Sequence, residues 1–431
     1  MVSDWLSAAF ARRQVHYGWV MVAVTFLTSL VSAGAVGAPG VFIRPLEQEF
    51  GWSTADISAA LAIRLLLFGL MAPFAAALLN RYGLRNVTAA ALALVAIGLV
   101  ASLGMTDLWQ LVVLWGFVVG FGTGMTALVL GATVAARWFT THRGLVVGIL
   151  TASMATGQLA FLPLLAWLTD LYGWRLALSV VCVGLVVATV AVLLLMRDRP
   201  SDLGLRAFGE RADAPQPAAP QATGSIFAAS FSTLREAARE PLFWVLFFTF
   251  FICGASTNGL IHTHFIPLCS DYGMAATAAA TLLAVMGLFD FAGTIGSGWL
   301  SDRYDNRKLL FWYYGLRGLS LIALPFTDFS LYGLSLFAIF YGLDWVATVP
   351  PTVKLTVARF GPEKANLVFG WIFAGHQLGA ATIAFAAGAS RTYLASYLPA
   401  FFVAGALCLI AALVVVSLGR DRPAREAVAV A

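Results

Sequence analysis

The sequence predicts an all-α membrane protein: twelve transmembrane helices in two pseudo-symmetric six-helix bundles. Three observations carry this. Of 431 residues, 60% are hydrophobic and only 11% charged, with a mean hydropathy of +0.86. Soluble domains carry about 25% charge. So much apolar surface cannot all be hidden inside the chain, so lipid must be its second solvent. A soluble enzyme, a nucleic-acid binder and a secreted scaffold are excluded together. The second observation is twelve apolar segments of the length a helix needs to cross a bilayer. The third is internal: displaced by 222 residues, the chain matches its own landmarks.

The segments begin near Tyr17, Thr54, Asn86, Leu108, Arg143 and Trp174, then near Leu242, Ala275, Lys308, Phe329, Lys364 and Ala395. The first is long enough to span rather than to be a cleaved leader. The only long polar stretch, Arg197 to Pro241, separates sixth from seventh. The expected organisation is therefore a first bundle over 1–196, a linker over 197–241 and a second bundle over 242–431. The linker's centre, Ala212 to Gly224, is rich in Ala, Pro and Gln and reads as flexible. Phe227, Phe231 and Leu234 then recur at i, i+4 and i+7, predicting a short helix lying on the membrane surface. With both termini placed inside, inner segments hold 21 of the 26 basic residues and outer loops hold three, Arg44, Arg175 and Arg391. Both termini are expected in the cytoplasm of a plasma-membrane protein, and the basic pI reflects this asymmetry. Cys182, Cys253, Cys269 and Cys408 show no metal-ligand spacing and read as packing residues.

In the repeat, Pro45 falls on Pro267 and Glu49-Phe50-Gly51 on Asp271-Tyr272-Gly273. Arg81-Tyr82 falls on Arg303-Tyr304, Arg137 on Arg359, Gly148 on Gly370 and Gly157 on Gly379. Two six-helix halves related by an axis along the membrane normal are an arrangement that secondary transporters use for alternating access.

These residues resemble the major facilitator superfamily over essentially the whole chain. Its loop motif G-x-x-x-D-R-x-G-R-[RK] recurs as Gly298-Trp-Leu-Ser-Asp302-Arg303 after the eighth helix. After the second helix it reads Ala76-Ala-Leu-Leu-Asn80-Arg81-Tyr82-Gly83-Leu84-Arg85, without the acid. The resemblance implies a cytoplasmic gate built on Asn80, Arg81, Arg85, Asp302, Arg303 and Arg143, and a functional monomer. Within the superfamily, Tyr17-Gly18-Trp19, Gly40 through Ser53, and Arg137-Trp138-Phe139 to Arg143-Gly144-Leu145 resemble the monocarboxylate and oxalate–formate transporter branch. That branch often has D-x-x-x-R in helix eight; here Asp290 is followed by Thr294 where the arginine would stand.

Ionisable groups inside a membrane are costly and are functional suspects. Counted at about 1.5 Å per residue, Asp290 and His376 lie about 18 Å from the inner surface. Arg317 and Asp344 lie about 15 Å deep, and Arg64 about 24 Å. Arg317 and Asp344 stand on consecutive helices at matching depth, which favours a structural ion pair, with an Arg317–Asp290 pair as the alternative. Arg64, Asp290 and His376 then remain for function. Arg64 maps through the repeat onto Met286, one turn from Asp290 on the same face. The expectation is that Arg64 binds a carboxylate, since its fork is planar and permanently charged. Asp290, helped by His376, then carries a proton. Weaker substrate candidates are Asn258, beside Ser256 and Thr257 in helix seven, and Tyr341, Trp345, Trp371 and Gln377, each equally readable as packing. His262 and His264 are read as facing the interface. Pro350-Pro351 should kink helix ten. Gly116, Gly120, Gly122 and Gly124, like Gly375 and Gly379, are spaced for close helix contact.

No phosphate-binding loop and no metal spacing occurs, so no cofactor and no ATP-driven pump is expected. Nor does any nucleophile–base pair point to an enzyme. The favoured function is proton-coupled symport of a small organic anion, monocarboxylate-like. The alternative is a proton antiporter exporting an amphipathic compound, for which the 13 Trp and 32 Phe speak. A signalling transceptor is the third possibility, and no appended domain supports it.

Overall fold

The computed structural model describes residue 12 and residues 15–126, 129–210 and 226–417. The expected flexible centre of the linker lies outside them, as does the side chain of Phe227. Among the described residues twelve helices are long and apolar enough to span. In the first half they are Gly18–Phe50, Thr54–Tyr82, Leu84–Ser102, Leu108–Trp138, Arg143–Tyr172 and Trp174–Leu195. In the second half they are Pro241–Asp271, Ala276–Ser301, Asn306–Phe326, Leu331–Gly361, Lys364–Leu394 and Leu398–Ser417. They start within three residues of the places the apolar segments predict, because the bilayer requires every backbone group to be bonded within the helix. Local sequence sets the ends. Ser53 and Asp56 form a reciprocal capping box at the second span. Gly51, in the left-handed region at φ 67°, stops the first.

The halves meet along three seams. The second span runs the length of the eleventh: Ser58 abuts Gly388, Gly69 abuts Gln377 and Pro73 abuts Gly370. The fifth packs on the eighth, and the first crosses the seventh. At that crossing a Cβ on Gly40 would lie 2.8 Å from the His262 carbonyl oxygen, so only glycine permits the approach. The repeat survives in three dimensions. Gly157 lies against Leu30 of the first span, and its counterpart Gly379 lies against Phe251 of the seventh.

The linker helix, Ile226–Ala237, is where expectation and structure differ. It does not simply lie on the membrane surface; it bridges the two halves. Ser230 donates its hydroxyl to the Pro73 carbonyl (3.2 Å) and accepts the Trp371 indole N–H (3.0 Å). Phe231 packs on Phe74 and Trp371, and Glu236 pairs with Lys364 at 2.6 Å. The face carrying this helix is called the linker face below, and the opposite one the far face.

The far face is closed. Asp271, at the end of the seventh span, pairs both with Arg44 from the first half and with Arg391 from the eleventh span, the latter at 2.6 Å. Beside them the Ala55 N–H donates to the Thr392 hydroxyl across the same seam (3.0 Å). A half-exposed pair is worth about 1 kcal/mol or less, but this carboxylate fastens three helix ends from both halves. Asp271→Asn should therefore raise the far-side-open population about fivefold. The check is the maleimide labelling rate of Thr263→Cys, a buried residue at the first–seventh crossing. An unchanged rate would exclude the clasp.

Candidate functional site

In the first half two voids lie among the helices, the outer walled by the first, second, third, fourth and sixth spans and the inner by the first, second, fourth and fifth. The outer, nearer the far face, is lined by Ala35, Ala38, Pro39, Arg64, Leu99, Trp115, Val119 and Leu178. The inner is lined by Thr28, Ser29, Ser32, Val36, Phe68, Thr123 and Met154. The outer is too tight for a water molecule and the inner has room for about one. Arg64 is 4% exposed. Its Nη1 donates to the carbonyls of Val36 (3.1 Å) and Ala35 (3.4 Å), the latter lacking an i+4 amide because Pro39 stands there. Its Nε has no partner, nor does the indole N–H of Trp115 across the void. Among the described residues no carboxylate pairs with Arg64. Trp115 sits in a wide π-helical stretch, Val112–Val119. A second such stretch, Ala255–Ile261, covers Ser256, Thr257 and Asn258; both are irregularities typical of functional regions.

In the second half the charges gather around a break in the tenth span, at 345–348. The break falls just before Pro350-Pro351, because proline is tolerated in a helix's first turn. Arg317, wholly buried, pairs through Nε with Asp344 at 2.5 Å and donates through Nη2 to the carbonyls of Asp344 (2.5 Å) and Trp345 (3.0 Å). Asp290 supplies the complementary acceptor, receiving the Val346 N–H (2.9 Å) and the Thr294 hydroxyl (3.1 Å). Thr294, standing where the branch has arginine, is thus a hydrogen-bond donor to Asp290.

The trio Arg64, Asp290 and His376 is not brought together by any hydrogen bond or ion pair. His376 stacks on Phe373 (5.5 Å between centroids) and lies 4.8 Å from Phe250, with Nδ1 unpartnered. Gln377 is buried against Gly69 with neither amide atom satisfied. Asn258 is half-buried. Tyr341 spends its hydroxyl on the Ser256 carbonyl (2.7 Å), and Trp371 spends its indole on the linker helix, so both are engaged in holding the fold. His264 donates through Nε2 to the Ala384 carbonyl (2.8 Å), whereas His262 Nε2 is unpartnered beside Gly37. The repeat gives order to these positions. Val36, Phe68, Thr123 and Met154 of the inner void fall, 222 residues on, at Asn258, Asp290, Trp345 and His376. The hydroxyl set Thr28, Ser29 and Ser32 escaped the sequence reading; its signal is three hydroxyls at i, i+1 and i+4 in an apolar helix. Among the described residues no group of three or more potential metal ligands occurs.

The family model described as Major Facilitator Superfamily matches residues 25–383. The chain belongs to that superfamily. Monocarboxylate transporter 13 of Rattus norvegicus is 27% identical over 408 residues, 93% of this chain and 89% of that protein. The MFS-type transporter YcxA of Bacillus subtilis is 24% identical over 375 residues, 86% of this chain and 87% of that one. Among solved structures, the nucleoside transporter NupG superimposes with a TM-score of 0.75 at 11% identity, covering 93% of this chain and 99% of that one. A D-xylose–proton symporter gives 0.69 at 13%, covering 93% and 97%; these likenesses concern the fold. The protein is a multi-pass major facilitator transporter related to monocarboxylate transporters.

The two copies of the superfamily's loop motif sit at the linker face, each tied within its own half. Asn80 accepts from Arg137 Nη2 at 2.6 Å, so the amide keeps a hydrogen bond that an acid would have charged. Asp302 pairs with Lys354, whose ammonium holds the carboxyl below the usual carboxylate range. Arg303 lies over the Trp299 ring at 4.1 Å, and Arg81 over Tyr82 at 5.7 Å. Arg85 takes Asp198 on its backbone N–H (3.0 Å). Arg143 folds back onto the carbonyls of Phe139 (2.5 Å) and Ala136 (3.3 Å).

Proposed function

We propose that the protein is a proton-coupled symporter of an organic carboxylate, working as a monomer by rocking of the bundles 1–196 and 242–431 about the joining segment 197–241. One observation carries this reading: among the described residues no acid pairs with the buried Arg64 guanidinium, which shares its void with a second unpartnered N–H donor, Trp115. An uncompensated cation in the bilayer interior costs several kcal/mol. A carboxylate is the ligand that offsets this cost, and relatives named monocarboxylate transporters support the class. Asp290 is the proton site. Its carboxylate has backbone and hydroxyl donors and, among the described residues, no ion pair, so a proton can come and go with the state of the tenth span. Asn258, His376 and Gln377 are the polar groups of the second half facing the same exchange. The distribution of basic residues supports a cytoplasmic linker face and a plasma-membrane location.

The test is purified protein in liposomes loaded with a pH-sensitive dye. Carboxylates added outside should acidify the interior in a protein-dependent way. Alkalinisation by a quaternary cation would establish antiport and overturn the reading. Asp290→Asn should retain carboxylate exchange within about threefold while abolishing accumulation driven by a pH gradient. Normal accumulation by that variant would place the proton elsewhere.

A further inference from the structure

The inner void extends the anion site toward a chemistry that Arg64 alone does not specify. Hydroxyls in apolar helices ordinarily bond back to the carbonyl one turn earlier. Thr123, Thr249 and Thr257 do so here. Thr28, Ser29 and Ser32 do not: among the described residues their hydroxyls make no hydrogen bond, and all three line the void. Thr28 is 1% exposed with an unpartnered Oγ1, a buried polar group that asks for a partner. Phe68, on the same face of the second span as Arg64 and one turn on, lines the void too and meets Phe373 edge-on at 5.8 Å. Arg64 lines the outer void and donates to the backbone carbonyl of Val36, which lines the inner one, so the two voids adjoin along the first span as one seam.

We propose that this seam is one elongated site, and that its substrate is an extended polyhydroxylated carboxylate rather than a short aliphatic one. This rests on the carboxylate reading above. The acid end meets Arg64 and Trp115. The hydroxylated chain runs along Val36, Ser32 and Thr28, successive turns about 5–6 Å apart, over the Phe68 ring. A three-carbon acid held at Arg64 reaches neither hydroxyl turn, whereas an extended six-carbon aldonate reaches toward both. All the lining residues belong to the first half, so its own spans must part to admit the chain.

The experiment compares gluconate with pyruvate in the same dye-loaded liposomes, with protein-free vesicles correcting for diffusion of the free acids. The wild type should favour gluconate by at least about tenfold in kcat/KM. Thr28→Val with Ser32→Ala should lower the gluconate-to-pyruvate ratio by about tenfold, the size of two neutral hydrogen bonds. Pyruvate transport equal to or better than gluconate transport would overturn this inference and leave the carboxylate reading standing. So would a ratio unmoved by the double variant. Absence of transport with every carboxylate would overturn both. The wild-type preference decides the matter even where the double variant does not fold.

Discussion

Arg64→Gln abolishes carboxylate-driven acidification, with kcat/KM at least about a hundredfold lower, while the protein's thermal stability in detergent holds or rises. The two halves of this expectation come from one fact. Arg64 is buried without a counter-charge, so its charged form is a liability to the empty fold. Glutamine removes that burden and can still donate to one of the carbonyls near Pro39. What glutamine cannot do is neutralise a carboxylate, and the lost charge-assisted fork is worth well over the strength of a neutral hydrogen bond. Arg64→Lys keeps charge but not the planar fork and should recover only part of the rate. If Arg64→Gln instead melted several degrees lower and transported normally, Arg64 would be a strut for the kink in the first span.

Lipid explains how much of the fold was legible. Each span had to be long, apolar and internally bonded, so twelve starts could be found to within three residues, and a constant displacement gave the two halves. Matching depth on consecutive helices favours the Arg317–Asp344 pair in the sequence, with Asp290 left as an alternative partner; the structure pairs Arg317 with Asp344. What sequence could not supply was backbone partnership. Nothing in the letters says that Asp290 faces the amide of Val346, because the break in the tenth span that frees that amide lies one turn ahead of the prolines announcing it. For the same reason the sequence leaves Trp371 open between substrate contact and packing: its indole bonds Ser230 of a linker helix whose docking onto both halves no periodicity reveals. The hydroxyls of Thr28, Ser29 and Ser32 were visible but mute, because serine in an apolar helix usually satisfies itself.

Arg317→Met should destabilise the protein by about 3–5 kcal/mol, the loss expected when one member of a buried pair is removed. The substitution leaves Asp344 with a carboxylate whose Oδ1 already lacks a partner, and frees two carbonyls at the break in the tenth span. Removing both charges, as Arg317→Met with Asp344→Leu, should restore most of that loss, because packed apolar groups of similar volume often replace buried ion pairs at little cost. Thermal unfolding in detergent measures the first effect, and liposome transport by the double variant decides what the pair is for. Arg317 caps the carbonyl side of the break and Asp290 caps the amide side, so the two charges hold the same hinge from opposite ends. A stable double variant that still transports would make the pair a device for stability alone. A stable one that exchanges carboxylate slowly would mean that the clasp sets the rate at which the tenth span bends, and that a proton arriving at Asp290 acts on a helix already primed to move.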